Sequence, residues 1–213
     1  IAVPARRLLD ADLAFLKYIG LAAHAVQRRD PGPALAQLIE ASDGWVRARA
    51  LKAAGELGRL DLLPAVRAHL QDEEEKCRFY AVWSAALLGD TSTMESLTAL
   101  AMAPGPFAQR GCNLAVRKMA PSEAMQWLRN LSQQKESART AVGGCGALGD
   151  PAAVPWLLEM MQDPELARAA GESFSMITGV DLAYEDLEGE PPEGLEAGPS
   201  ENPEDDDVAL DPA

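Results

Sequence analysis

Aromatic residues, histidine and long apolar runs are all scarce in this 213-residue sequence. With aromatic side chains at 5% and few valine, isoleucine or threonine residues, the composition disfavours a large β-sheet. No run of 18 apolar residues occurs, so the sequence predicts no membrane-spanning helix, and we expect a cytoplasmic protein. The chain starts at Ile1 rather than at methionine, which indicates a processed or trimmed piece of a longer protein.

The residues that commonly bind metals or act as nucleophiles form no recognisable set. The only histidines are His24 and His69, and no serine–histidine–aspartate or cysteine–histidine arrangement follows from the spacing. The cysteines, Cys77, Cys112 and Cys145, form no C-x-x-C pair and lie in alanine-rich helical segments, which predicts buried, unpaired thiols. We therefore expect no catalytic residues, no metal and no cofactor, and a protein that is not an enzyme.

The net charge of −14 is concentrated at the C-terminal end. Residues 1–180 contain 20 acidic and 19 basic residues, whereas residues 181–213 contain 13 acidic and no basic residues. This difference predicts a near-neutral body and an acidic tail, rich in proline and glycine, that is either disordered or docked on the body. A body without excess positive charge is unsuited to phosphate backbones, so we expect no nucleic-acid partner.

A repeat of about thirty residues organises the body. Its anchor residues, spaced 31, 31, 29 and 29 residues apart, are Leu57, Leu88, Met119, Leu148 and Ile177. Seven residues before the anchors stand small residues, which are Ala50, Ala81, Cys112, Ala141 and Ala170. A second segment, apolar six and nine positions after the anchor, follows each of the first four anchors, and residues 11–41 resemble one more, divergent pair. The pattern predicts an all-α protein, an α-solenoid of five to six stacked helix pairs over residues 1–180, with an acidic C-terminal extension over residues 181–213.

Short motifs in these units resemble HEAT-like repeats of the bacterial type first noticed in phycobilin lyases. The residues that carry the resemblance are Val46-Arg47 and Leu57-Gly58, and Leu148-Gly149-Asp150-Pro151 and Val154-Pro155. The resemblance covers residues 13–178 and implies a solenoid of HEAT-like helix pairs. Di-iron enzymes built from such repeats use several His-Glu pairs, and this chain has none. The stretch FSMITGVDL at 174–182 is similar to the end of an uncharacterised bacterial HEAT-repeat family, some members of which are encoded near type VI secretion genes.

The stretch GCGALG, Gly144 to Gly149, matches the dinucleotide-binding pattern G-x-G-x-x-G. Such a motif must follow a strand and open a helix, whereas the repeat register places it at the end of a first helix. We therefore expect Gly149 to cap that helix in a left-handed conformation and no nucleotide to bind. Gly143, Gly144 and Gly146 are expected to let a neighbouring helix approach closely, next to Phe174.

Two tryptophans, Trp127 and Trp156, each lie eight residues after an anchor. This position is off the core positions, so we expect the indoles to point partly outward on adjacent repeats and to bind a protein partner, with Arg129 as a polar neighbour. The alternative is that both indoles pack between neighbouring second helices.

Arginine recurs in the first segment of every repeat from Arg47 onward, with a shift of one residue. Arg47 and Arg78 lie ten residues before their anchors, and Arg110, Arg139 and Arg168 lie nine before. The column is expected either to form an internal ladder, bonded to carbonyls and acids of adjacent repeats, or to face outward toward an anion. The acidic tail is the anion that the chain itself supplies, and the alternative for the tail is a solvated linker.

An extended surface without a recognisable catalytic set favours a non-catalytic scaffold or adaptor that binds a protein partner on the solenoid surface. Alternative functions are a bacterial secretion-accessory or toxin-neutralising protein, and a lyase or modifying enzyme of the phycobilin-lyase type. The acidic run at residues 72–75 gives no further site and is expected to be a solvated loop that helps cap the next helix.

Overall fold

The computed structural model describes residues 5–187 and 189, and the regular structure within them is entirely helical. The α-helices of this part are α1 (Ala5–Leu9), α2 (Ala14–Val26), α3 (Pro33–Ile39), α4 (Gly44–Glu56), α5 (Leu63–Ala68), α6 (Glu75–Leu87), α7 (Met94–Met102), α8 (Ala108–Val116), α9 (Pro121–Leu131), α10 (Lys135–Leu148), α11 (Val154–Met160) and α12 (Ala167–Thr178). One-turn 3-10 helices at Leu60–Leu62, Thr91–Thr93 and Pro151–Ala153 lead into α5, α7 and α11. The predicted all-α class is confirmed.

The helices form consecutive pairs that stack side by side into an α-solenoid. The first helices of the pairs are α2, α4, α6, α8 and α10, and the second helices are α3, α5, α7, α9 and α11. Each second helix packs on the first helix that follows it, as α3 does on α4 and α7 does on α8. The short α1 lies against α2, and α12 packs on both α10 and α11. The described residues therefore form five helix pairs and a further first helix, in agreement with the predicted five to six.

The core follows the thirty-residue repeat. The small residues seven before the anchors are all 0% exposed; they are Ala50, Ala81, Cys112, Ala141 and Ala170. The apolar residues nine after the anchors, in the second helices, are also 0% exposed; they are Val66, Leu97, Leu128 and Leu157. Small side chains let neighbouring helices come close, and the larger ones fill the space between the pairs. The repeat register predicted from the sequence is therefore the packing register of the structure.

Glycine and serine close two of the junctions between first helices. Gly55 in α4 faces Ser84 in α6, and Gly146 in α10 faces Ser173 in α12, at the same positions of the repeat. Each serine hydroxyl donates a hydrogen bond to a carbonyl oxygen of the preceding first helix, at 2.7 and 2.9 Å. A Cβ atom at Gly55 would lie 2.8 Å from the Cα atom of Ser84, so the two backbones are nearly in contact.

Aromatic side chains fill the junction between α6 and α8. The rings of Phe79 and Phe107 stack with their centroids 4.2 Å apart, and Tyr80 packs edge-on against both rings. The backbones of α6 and α8 do not approach each other as those of α4 and α6 do, and α8 packs mainly on α7 and α10. This junction therefore joins two closely packed parts of the solenoid through side-chain contacts.

The glycines of GCGALG lie at the end of α10, as predicted. Gly149 has φ +73° and ψ 18°, and its N–H bonds back to a carbonyl of the last turn, so it is a left-handed helix cap. A Cβ atom at Gly144 would come within 2.6 and 2.7 Å of side chains from α9 and α8. The neighbour of Gly146 is Ser173 rather than the expected Phe174. The close helix approach is confirmed, and it involves several neighbouring helices.

Candidate functional site

The two tryptophans expected to bind a partner lie on α9 and α11. Trp156 is 9% exposed and packs in the core, so the expectation that it points outward is wrong. Trp127 is half-buried against the same core, and Arg129 is exposed near the end of α9. The alternative, in which an indole packs between helices, describes Trp156. Binding of a partner through Trp127 and Arg129 stays a prediction.

A different pair of aromatic residues is exposed at the start of the first helices. Phe15 is the second residue of α2 and Trp45 the second residue of α4, and they are 70% and 65% exposed. Lys76, the second residue of α6, places its Nζ atom 3.6 Å from the centroid of the Trp45 ring, within cation–π distance. Because α4 packs on both α2 and α6, these three residues lie at the same end of neighbouring helices, and we name them the aromatic patch.

Arg47 and Arg78 form the internal ladder that one interpretation of the arginine column predicts. Arg47 donates through Nε and Nη2 to the two carboxylate oxygens of Asp72, at 2.8 and 3.0 Å, and through Nη1 to the carbonyls of residues 41 and 42. Arg78 donates through Nη1 to the carbonyls of residues 72 and 73, at 2.6 and 2.7 Å. Each guanidinium therefore binds carbonyl groups five and six residues earlier and fixes the loop that precedes its helix.

Asp72, expected in a solvated acidic loop, is instead a buried hub. Its side chain is 7% exposed and also accepts hydrogen bonds from His69 Nδ1, at 2.8 Å, and from the backbone N–H of Glu74, at 3.0 Å. Glu40 lies on the other side of the imidazole, 3.5 Å from Nε2. Burial raises the pKa of Asp72, but the hydrogen bonds from Arg47, Glu74 and His69 outweigh burial and hold the pKa well below its ordinary value.

A surface depression of about 400 Å³ opens beside this hub. Its polar lining residues are Glu40, Ser42, Arg47, His69, Gln71, Asp72 and Glu73. The side chains of Arg47, His69 and Asp72 bind one another. They form a structural network that connects the start of α4 to the end of α5. Among residues 5–187 and 189, no group of three or more histidine, cysteine or acidic side chains is arranged to hold a metal ion.

The three cysteines are buried and unpaired, as predicted. Burial raises the pKa of the Cys112 and Cys145 thiols to about 12 and also raises the pKa of Cys77. Because the thiolate is the reactive form, we expect no thiol to react with Ellman's reagent at pH 8 in the native chain, and all three to react after denaturation. A thiol that reacts in the native protein would show that one of the helix junctions opens.

The remaining arginines of the column face outward. Arg110, Arg139 and Arg168 lie on α8, α10 and α12 and are exposed, and we name them the outer arginines. Gln109 Nε2 donates to the carbonyl oxygen of Thr140, at 3.4 Å, so the residues next to Arg110 and Arg139 are in contact. Because α10 packs on both α8 and α12, the three arginines occupy the same repeat position on three adjacent first helices.

The acidic tail begins as a turn against α12. Leu182 packs beside Gly171, where a Cβ atom would lie 3.2 Å from Leu182 Cδ1. The N–H of Leu187 donates to the carbonyl oxygen of Leu182, at 2.9 Å, so the chain turns back on itself there. Residue 188 and residues 190–213 lie outside the described residues, and the expected contact between the tail and the outer arginines stays a prediction.

These features define the class of the protein, an α-solenoid of stacked helix pairs with a repeat of about thirty residues. A family model for HEAT repeats matches residues 32–117, which extend from α3 through α8. This match supports the HEAT-like repeats that the sequence motifs indicate. The similarity of residues 174–182 to a bacterial HEAT-repeat family lies outside that match and stays a prediction. No curated protein matches the chain at a significant level. None of the described helices has the length and apolar character needed to cross a membrane.

Proposed function

We propose that this HEAT-like solenoid is a non-catalytic scaffold that binds a protein partner through the aromatic patch. The observation that carries the proposal is the exposure of Phe15 and Trp45 at equivalent positions of two adjacent first helices. Stacked helix repeats build extended surfaces that commonly serve protein binding, and the match to HEAT repeats supports that use here.

The chemistry of the aromatic patch fits a protein partner. Tryptophan is the residue type most enriched at binding hot spots, because its large rigid ring buries much area at a low entropic cost. The ammonium group of Lys76 lies over the Trp45 ring and adds a polar contact beside the apolar surface. We therefore infer a partner that inserts apolar side chains beside Phe15 and Trp45 and presents an acceptor to Lys76.

Affinity capture with a matched control tests this proposal. The full chain, the double variant Phe15→Ala/Trp45→Ala and the control Tyr184→Ala are each used to capture proteins from the source organism, followed by quantitative mass spectrometry. Tyr184 is 84% exposed and lies away from the patch, so its loss removes an exposed aromatic ring of another surface. We expect the wild type and the control to recover the same partner and the double variant to lose it. Truncating a hot spot costs about 2 kcal/mol or more, which corresponds to roughly a 30-fold rise in Kd.

Equal recovery of the partner by all three proteins would show that the aromatic patch does not bind it. Unchanged thermal unfolding of the double variant serves as the folding control, because exposed residues contribute little to the core. Recovery of one partner in a 1:1 ratio would favour the dedicated secretion-accessory or toxin-neutralising function, which the similarity of residues 174–182 suggests, over a scaffold with several partners.

A further inference from the structure

Arg47 and Arg78 bind backbone carbonyls of the preceding loops, whereas the outer arginines are exposed on the surface of their helices. Arg110 Nη1 donates to the hydroxyl of Tyr80, at 3.0 Å, which leaves its positive charge without a carboxylate at that contact. Arg168 pairs with Glu172 on the same helix at 3.4 Å, and both side chains are more than two-thirds exposed. Exposed pairs of this kind contribute little to stability. The outer arginines thus place three exposed basic residues on α8, α10 and α12.

Acidic side chains are few around this surface but do occur. Glu136 lies in the first turn of α10, and Lys135 beside it is paired with Glu165 across to the next unit, at 3.2 Å. Glu136 and Glu165 lie near the starts of α10 and α12, and Glu172 lies within α12. Arg110 and Arg139 are exposed residues on the adjacent helices α8 and α10. An anionic segment that crosses the helices at that level would meet all three outer arginines.

We propose that the acidic C-terminal extension of this chain binds in cis across the outer arginines. Residues 188–213 contain ten acidic and no basic residues, which gives the charge complementarity. The extension starts on the correct helix, because Leu182 packs beside Gly171 of α12, three residues after Arg168. The proposal concerns a different surface from the aromatic patch and does not depend on it.

The length of the extension is sufficient for this contact. Packed helices lie about 8–10 Å apart, so Arg110 on α8 is roughly 20 Å from Arg168 on α12. An extended chain covers about 3.3 Å per residue, so 26 residues reach roughly 85 Å. The acidic run at residues 204–207 can therefore lie over any of the three outer arginines. An acidic partner protein and the tail of a second copy are the competing occupants of the same surface.

A spin label on the full-length chain tests the contact directly. Ser200→Cys introduces one thiol in the extension, and a nitroxide reagent should label it in preference to the three native thiols, which are buried. Amide signals of α8, α10 and α12 in the ¹⁵N-labelled protein are compared with the label oxidised and reduced. We expect a selective loss of amide intensity near the outer arginines at low salt. The loss should disappear at about 1 M salt, where the Debye length is about 3 Å.

Two variants of equal charge make the result specific. The triple variant Arg110→Gln/Arg139→Gln/Arg168→Gln should abolish the intensity loss, whereas Arg6→Gln/Arg7→Gln/Arg29→Gln, which removes three exposed arginines elsewhere, should leave it intact. Equal losses in both variants, or no loss on α8, α10 and α12 in the wild type, would overturn the proposal. An intensity loss that persists when spin-labelled ¹⁴N protein is mixed with unlabelled ¹⁵N protein would show binding between copies and would overturn binding in cis.

Discussion

Replacing Asp72 by asparagine is expected to destabilise the protein by about 3 kcal/mol, because removal of one partner of a buried ion pair leaves the other charge uncompensated. The carboxylate binds both Nε and Nη2 of Arg47 and also accepts from His69 Nδ1 and the Glu74 N–H. Asparagine has nearly the same shape but is neutral, and its amide nitrogen cannot accept these hydrogen bonds. Urea unfolding at pH 7, followed by circular dichroism, measures the difference.

The matched control for this variant is Asp61→Asn. Asp61 also accepts two hydrogen bonds from one arginine, with Arg59 Nε and Nη2 at 2.8 and 2.7 Å, but its side chain is largely exposed. Water screens such a pair, so we expect only a small change in the free energy of unfolding. If the two variants lost equal stability, the burial of Asp72 would not be the cause.

The Asp72 hub also predicts the direction of the pH dependence. The folded pKa of Asp72 is depressed below the unfolded value, which is about 3.9. The stabilisation is therefore fully present above the unfolded pKa and is lost as the pH falls below it, because the unfolded state then binds more protons. Asp90 acts in the same direction, since hydrogen bonds from Arg67 and Ser92 hold its pKa at about 2. We expect the difference between wild type and Asp72→Asn to shrink between pH 5 and pH 3.

The fold could be predicted from the sequence because a solenoid core is periodic. Each repeat contacts mainly its neighbours, so the same position meets the same environment in every unit. Cys112 shows how far this holds, because it occupies the column of Ala50 and Ala81 and is buried to the same extent. Asp72 shows the limit of this reasoning. The carboxylate that looks solvated in an acidic run is buried by contacts from Arg47 and His69, which come from two other elements.

The surface could be predicted only in part, because one residue of shift turns a side chain by about 100° around a helix. Arg47 and Arg78 bind the preceding loop, while the outer arginines, one position later, are exposed. Trp156 is one residue before the core position at Leu157, so the same angle separates their side chains. The large indole of Trp156 nevertheless packs in the core. Phe15 and Trp45 are thirty residues apart, a spacing that indicates equivalent positions in two repeats. Which side of a helix stays exposed depends on the packing of its neighbours, which the spacing does not give.

Replacing Gly55 by alanine is expected to destabilise the junction between α4 and α6, although alanine is the better helix former. A Cβ atom would lie 2.8 Å from the Cα atom of Ser84, and a backbone atom cannot move aside as a side-chain end can. The helices must separate, which lengthens the hydrogen bond from the Ser84 hydroxyl to the Leu51 carbonyl, now 2.7 Å. Overpacking of this kind costs about 1–3 kcal/mol, which exceeds the gain in helix propensity of up to about 1 kcal/mol.

Gly143→Ala is the matched control for this prediction, because Gly143 is also in a first helix, but the three atoms nearest to its added Cβ belong to the amide end of the Gln109 side chain. That amide can rotate away, so the gain in helix propensity should leave the protein as stable as the wild type or slightly more stable. Chemical unfolding midpoints of the two variants give the comparison. Equal stability of Gly55→Ala and wild type would mean that α4 and α6 can move apart at no cost. Opposite signs for the two variants would show that contact between the backbones of α4 and α6 makes alanine unfavourable at position 55.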